Sequence, residues 1–264
     1  MPQANPIIAN AALARLRAGE VALGFGVHHL RSVATPMLAR AAGYDWLFID
    51  TEHGALSVQE ATQICLAALP AGITPVVRVC ADALDEGTRA LDNGAQGIVV
   101  PHVDTQEQAR RVADAFRFPP LGHRSWGGPP YAYGLRAPAA DIAQAGINRE
   151  VLVVAMIETP EAVANADAIA AVDGIDALLF GTSDLTAAMG IAGQIGHPRV
   201  REAYVHAAAA CQRHGKVLGM GGVYDEANAR TYIGLGARLV LGGNDHQFLL
   251  DAATARAGFL RALV

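Results

Sequence analysis

The sequence predicts an α/β protein folded as one closed (β/α)8 barrel of the TIM-barrel type, and three observations predict it. Eight short apolar runs alternate with amphipathic segments along residues 1–264. The runs are near-continuous in Val, Ile and Leu rather than alternating, as parallel strands covered on both faces require. The length of 264 residues is that of a single barrel domain, typically about 250. An open doubly wound sheet is the rival; it would show fewer strands and a GxGxxG turn after the first, and no such turn occurs.

Taken in order, the first run is ALGFGV (22–27), followed by His28 and His29. The second, WLFIDTE (46–52), ends in Asp50, Glu52 and His53, and the third, TPVVRV (74–79), carries Arg78. GIVVPHV (97–103) leads to His102 and Asp104, VLVVAMIE (151–158) ends in Glu158, and ALLFGTSDL (177–185) ends near Asp184. KVLGMGG (216–222) and RLVLGGND (238–245) complete the set, the last ending in Asn244 and Asp245. Helical segments are expected over 57–69, 105–116, 160–172 and 201–215, with Ser57 and Thr105 as N-caps and Pro160 at a first helical position. One connection breaks the rhythm: residues 117–150 read as a long loop insertion between the fourth and fifth strands, rich in Gly, Pro and aromatics. Placed at the barrel mouth it would be functional; otherwise it is a surface excursion over the barrel or a neighbouring subunit.

Composition excludes several classes. With 52% hydrophobic residues the chain can bury a large core without disulfides or a structural metal. The net charge of -5 is scattered, with no basic stripe for nucleic acid. Three distant cysteines, no leader-like N-terminus and no long apolar run lead to the expectation of a cytoplasmic protein with no membrane partner. A single lysine, Lys216, stands at the start of a strand, the wrong end for barrel chemistry. Schiff-base and pyridoxal phosphate mechanisms need a lysine in the site, so neither is expected, and a metal is the natural electrophile.

Barrel chemistry sits at the C-terminal ends of the strands, where these polar residues fall. Glu158 and Asp184 close adjacent strands and suit Mg²⁺, with Mn²⁺ or Co²⁺ as alternatives; the same pair could instead be held by arginines at the rim. Arg78 could stabilise an oxygen gaining negative charge, or serve as structural partner to Asp50 or Glu158. His53 is a candidate base with Asp92 as a possible partner, although Asp92 also reads as a helix C-terminal residue. Gly181 with the amides of Thr182, Ser183 and Asp184 could cradle a carboxylate. The late glycine loops (219–222 and 241–245) read either as phosphate loops or as tight turns.

Together FIDTEHG (48–54), VVRV (76–79), ALDNGAQGIVVPHVDTQEQA (90–109), FPPLGHRSWG (118–127), MIETPEAVAN (156–165) and LLFGTSDLTAAMG (178–190) resemble the metal-dependent pyruvate aldolases. That family includes 4-hydroxy-2-oxoheptanedioate and 2-dehydro-3-deoxyglucarate aldolases. The resemblance implies a lyase that reversibly cleaves 4-hydroxy-2-oxo acids to pyruvate, or a related 2-oxo acid, and an aldehyde through a metal-stabilised enolate. It implies Glu158 and Asp184 as metal ligands, Arg78 facing the keto oxygen, and His53 with Asp92 as an acid–base dyad. The amides around Ser183 and Asp184 would hold the substrate carboxylate and Asp50 would line the acceptor end. The Arg124–Gly127 loop, with Trp126 and Gly127 as substrate contacts, would close a neighbouring subunit's site in a homo-oligomer, typically a hexamer. Met156 departs from the Gln of some relatives. A coenzyme A thioester lyase of the citryl or malyl type, on the same barrel, is the alternative.

Overall fold

The computed structural model describes residues 4–128 and 130–264. Helix α1 (Ala11–Arg17) precedes β1 (Ala22–Val27); α2 (Thr35–Ala41) leads to β2 (Trp46–Asp50), α3 (Val58–Ala71) to β3 (Thr74–Arg78), and α4 (Leu84–Asp92) to β4 (Gly97–Val100). Then come α5 (Gln106–Phe116), a 3-10 turn (Tyr131–Tyr133), α6 (Ala140–Glu150) and β5 (Leu152–Ile157). The chain continues through α7 (Pro160–Ala164), α8 (Ala166–Ala170), β6 (Ala177–Gly181), α9 (Thr182–Ala188) and α10 (Pro198–His214). It ends with β7 (Val217–Gly221), α11 (Glu226–Gly234), β8 (Ala237–Asn244) and α12 (Asp245–Arg261). The strands pair in sequence order, all parallel, and β8 closes on β1.

Local chemistry sets the boundaries. Ser57 and Thr105 each form a capping box, with Glu60 and Gln108, and Pro160 follows the Thr159 cap. Such caps are worth about 1 kcal/mol apiece because they satisfy amides that have no helical acceptor. The segment expected as one helix over 160–172 is two, joined at Asn165, whose side chain donates to the Asp104 carbonyl at 2.8 Å. The strand expected to run through residue 185 ends at Gly181; Thr182–Asp184 form the first turn of α9.

Two layers of apolar side chains follow from the two faces of each strand. Trp46, Phe48, Val76, Val99, Val154, Met156, Leu179 and Leu241 fill the barrel, and Ala12, Leu13 and Leu16 of α1 plug its N-terminal end. Outward residues such as Ile49, Val77, Ile98, Val153 and Leu178 pack beneath the helices. Each large buried side chain contributes roughly 1.5–3 kcal/mol. Gly24 is required here because the Trp46 indole lies where its Cβ would be. No helix among the described residues is long and apolar enough to cross a membrane.

The connection over 117–150 differs from expectation in two ways. Residues 140–150 are a helix, α6, not loop. The irregular part leaves from the C-terminal end of α5, which runs antiparallel to β4 and so delivers the chain to the N-terminal end of the barrel. Arg117 fixes it there by donating to the carbonyls of Asn148 and Val151, immediately before β5, and to Asp176, before β6. The excursion therefore does not cover this chain's own barrel mouth.

Candidate active site

Side chains alternate along a strand, so the next inward position after the interior apolar residues opens onto the barrel mouth. In β2 the inward series is Trp46, Phe48, Asp50, and in β3 it is Thr74, Val76, Arg78. In β5 it runs Leu152, Val154, Met156 and then Glu158, one residue past the strand end. In β1 it is Ala22, Gly24, Gly26 and then His28. The same period that builds the core thus aims these four polar side chains toward one rim. There a cavity of about 150 Å³ is lined among others by His28, His53, Arg78, Ser183, Asp184 and Asn244.

Arg78 and Asp50 form the buried centre. The guanidinium donates from Nε to Asp50 Oδ1 at 2.9 Å and from Nη2 to Oδ2 at 2.5 Å, lies 3.1 Å from Glu52, and sits over the Phe48 ring. Asp50 is wholly buried and also accepts the amides of Glu52 and His53. Burial opposes its ionisation, but the bonds and charge of Arg78, with His28 and the His53 amide, outweigh that and hold its carboxyl below the usual range. Arg78 is thus the structural partner of Asp50, one of the readings offered by the sequence, and it also lines the cavity. Both Asp50 oxygens are engaged by Arg78, so this carboxylate holds the guanidinium in place.

Glu158 is 2% exposed and accepts the His102 amide at 2.8 Å. His102 holds a left-handed φ of 53°, which costs a non-glycine residue about 1–2 kcal/mol; the turn aims its amide at the carboxylate. Burial raises the Glu158 carboxyl above its usual range; the His102 amide offsets part of this and the nearby Asp184 charge adds to it. Two acidic groups brought together in this way suit a divalent cation. No cluster of three or more His, Cys, Asp or Glu occurs among the described residues. Two carboxylates with water and substrate completing the sphere fit Mg²⁺ better than a closed zinc site.

Gly181 is explained by the same contact. A Cβ there would lie 2.5 Å from Glu158 Oε1 and 2.7 Å from its Cγ. We expect Gly181→Ala to displace the glutamate and lower metal affinity at least tenfold, measured by calorimetry; unchanged affinity would show that Glu158 is not a ligand. Beside it, α9 begins without a side-chain cap, leaving its first amides available at the cavity wall. A Cβ on Gly222, whose φ is 75°, would crowd the Ser183 amide at 3.2 Å, so this glycine keeps the amide pocket open. Gly222, in the glycine loop after β7, is thus a close-approach turn.

The histidine–aspartate dyad is not formed within one chain. His53 lies at the mouth, 65% exposed, with Glu52 3.8 Å from its Nε2. Asp92 ends α4 at the opposite end of the barrel, bound to Arg124 at 2.6 Å. A strand of five residues separates those ends by roughly 17 Å. Gly127 packs on Asp92, and Trp126 meets Phe118 edge-on, so these two expected substrate contacts also lie away from this chain's cavity. Lys216 is at that far end as well, donating to the carbonyls of Val172 and Ile175.

His28 and Asn244, which the sequence places at strand ends on this rim without a role, line the cavity, and so does Tyr224, which the sequence does not single out. A period-two count from Ala22 gives His28 its inward direction. A register shift between β1 and β8 sets the Asn244 side chain in the space beside Gly26. Asp245 ties the rim together by accepting the amides of His28, His29 and Leu30 through Oδ2.

Comparison with known proteins adds the following. A family model described as HpcH/HpaI aldolase/citrate lyase matches residues 32–252. A 4-hydroxy-4-methyl-2-oxoglutarate aldolase of Hapsidospora irregularis is 39% identical over 251 residues, covering 93% of this chain and 92% of the relative. A hydroxypyruvate/pyruvate aldolase of Cupriavidus necator is 38% identical, covering 87% and 86%. The crystal structure of an HpcH/HpaI aldolase from Desulfitobacterium hafniense superposes with a TM-score of 0.87 at 30% identity, covering 94% and 96%.

Proposed function

The chain belongs to the HpcH/HpaI aldolase/citrate lyase family and is an aldolase acting on 2-oxo acids, and we propose that it cleaves 4-hydroxy-2-oxo acids to pyruvate, or a related 2-oxo acid, and a carbonyl fragment. The observation that carries this reading is the meeting of Arg78, Asp184 and the first residues of α9 at one cavity, with Glu158 packed against Gly181 of its wall and within reach of the Asp184 and Arg78 charges. A divalent cation held by Glu158 and Asp184 would supply the Lewis acid that polarises the keto group.

The chain's own groups divide the remaining work. The first amides of α9 bind the substrate carboxylate. Arg78, locked by Asp50, donates to the keto oxygen, where negative charge grows as the C3–C4 bond breaks. His53 at the rim takes the proton of the C4 hydroxyl, so that the departing fragment leaves as a carbonyl compound. Asp92 with the Arg124–Gly127 segment would complete this site from a neighbouring subunit of a homo-oligomer, a hexamer by resemblance. Support comes from their joint position at the end of the barrel remote from their own mouth, and from α12, whose Leu249, Leu250, Phe259 and Leu260 are exposed. Three free thiols are in keeping with a cytoplasmic setting. The identity to named aldolases over most of the chain favours this reading over a thioester lyase.

The test is pyruvate release from 4-hydroxy-4-methyl-2-oxoglutarate and simpler 4-hydroxy-2-oxo acids, followed through a coupled dehydrogenase. Activity should vanish after chelation and return with Mg²⁺, Mn²⁺ or Co²⁺. Folded protein that stays silent with every metal and substrate would reject the proposal.

A further inference from the structure

The cleavage proposed above requires two proton transfers: one from the C4 hydroxyl, and one to C3 of the enolate that bond breaking leaves behind. We propose that His28, held by Asp50, is the residue that delivers the second proton. The inference rests on the aldolase reading and assigns to this chain a catalytic group beyond those already named.

Geometry carries the assignment. His28 is the inward residue following Ala22, Gly24 and Gly26, and it lines the cavity with Arg78 and Asp184. Its Nδ1 lies 3.3 Å from Asp50 Oδ2. Asp50 is fully buried and already committed to Arg78, so it remains ionised and favours an N–H on Nδ1. That leaves Nε2 as the nitrogen free to exchange a proton, the arrangement in which a carboxylate fixes the tautomer of a catalytic imidazole. The backbone is fixed as well, since the His28 amide donates to Asp245. Hydrogen bonds of this kind are commonly long without ligand and shorten in the complex.

Of the charges facing the ring, Asp50 and Asp245 favour its protonation while Arg78 and His246 oppose it. Burial is the largest influence and keeps His28 below the ordinary histidine range. The free ring is therefore neutral near pH 7 and acts first as an acceptor. In the cleavage direction, Nε2 takes up a proton from solvent. As it gives this proton to C3, the C2=C3 electron pair forms the new C–H bond and the C2=O bond of pyruvate is restored. In reverse, Nε2 removes a methyl proton of pyruvate and the C–H pair becomes C2=C3. No oxidant or further reactant is needed.

The reverse half-reaction gives the test: deuterium exchange into the methyl group of pyruvate in D2O, with the metal-loaded enzyme and no carbonyl partner. His28→Asn keeps an amide donor for Asp50 and removes the distal nitrogen. Exchange should fall at least about 100-fold, within the usual range for a general acid–base group, while pyruvate KM changes less than about threefold. A ¹H–¹⁵N spectrum of metal-free wild type should show His28 as the Nδ1–H tautomer. A His28→Asn variant that exchanges at the wild-type rate, or an Nε2–H tautomer, would overturn the assignment. Wild type that neither exchanges nor releases pyruvate would instead overturn the aldolase reading on which it rests.

Discussion

Arg78→Ala should lose turnover and stability together. Removing a donor aimed at developing negative charge costs about 10² to 10³ in kcat. The structure adds a cost in stability. Arg78 is the double hydrogen-bond partner of a carboxylate with no exposure. Removing one member of such a pair leaves an uncompensated buried charge and costs about 3–5 kcal/mol. The double variant Arg78→Ala, Asp50→Asn removes that charge and should recover much of the stability while recovering none of the activity. Urea unfolding and pyruvate-release kinetics on the single and double variants separate the two effects. Wild-type stability in the single variant would refute the structural part, and near-normal kcat the catalytic part.

Glu158→Gln should stabilise the metal-free protein and abolish its response to metal. Burial and the Asp184 charge raise the Glu158 carboxyl in the folded state above its unfolded value. The stability contributed by this group is therefore present below the unfolded value, near pH 4.5, and is lost as pH rises through the raised folded value. At neutral pH the ionised glutamate costs stability until a cation compensates it. Glutamine keeps an acceptor for the His102 amide and fits against Gly181, and it removes the charge. Without metal, the variant should unfold several degrees higher, about 2–4 °C for each kcal/mol in a chain of this class of size. With metal at 100 times its Kd, wild type gains about 2.7 kcal/mol, the variant gains almost nothing, and the order reverses. Thermal scans with chelator and with Mg²⁺ or Mn²⁺ decide it: a variant that still shifts with metal would remove Glu158 from the ligand set.

These two expectations show what was legible in the chain and what was not. The apolar runs, their order and their caps are local properties, and they were enough for the closed barrel: Ser57, Thr105 and Pro160 stand where capping chemistry placed them. Asp50, Arg78 and Glu158 were legible because alternation along a strand carries an apolar core series straight into a polar residue at its C-terminal end. Asp184 was legible as a residue of the site but not as part of a helix, since FGTSDL continues an apolar run past the point where β6 stops.

Partners across the fold are another matter. The sequence left Arg78 open between Asp50 and Glu158, and the register of β2 against β3, which sets Asp50 beside Arg78, decided for Asp50. It placed Asp92 with His53, yet α4 returns antiparallel to the strands and sets Asp92 beside Arg124 at the far end. It set His28 after the first strand without a role, because that role depends on Asp50 from the neighbouring strand. Periodicity, capping and strand polarity are written within a few residues and so determine architecture, and which end of the barrel holds the chemistry. Pairings between elements depend on closure of the barrel and on the direction in which each helix returns, and these exist only once the whole chain is packed.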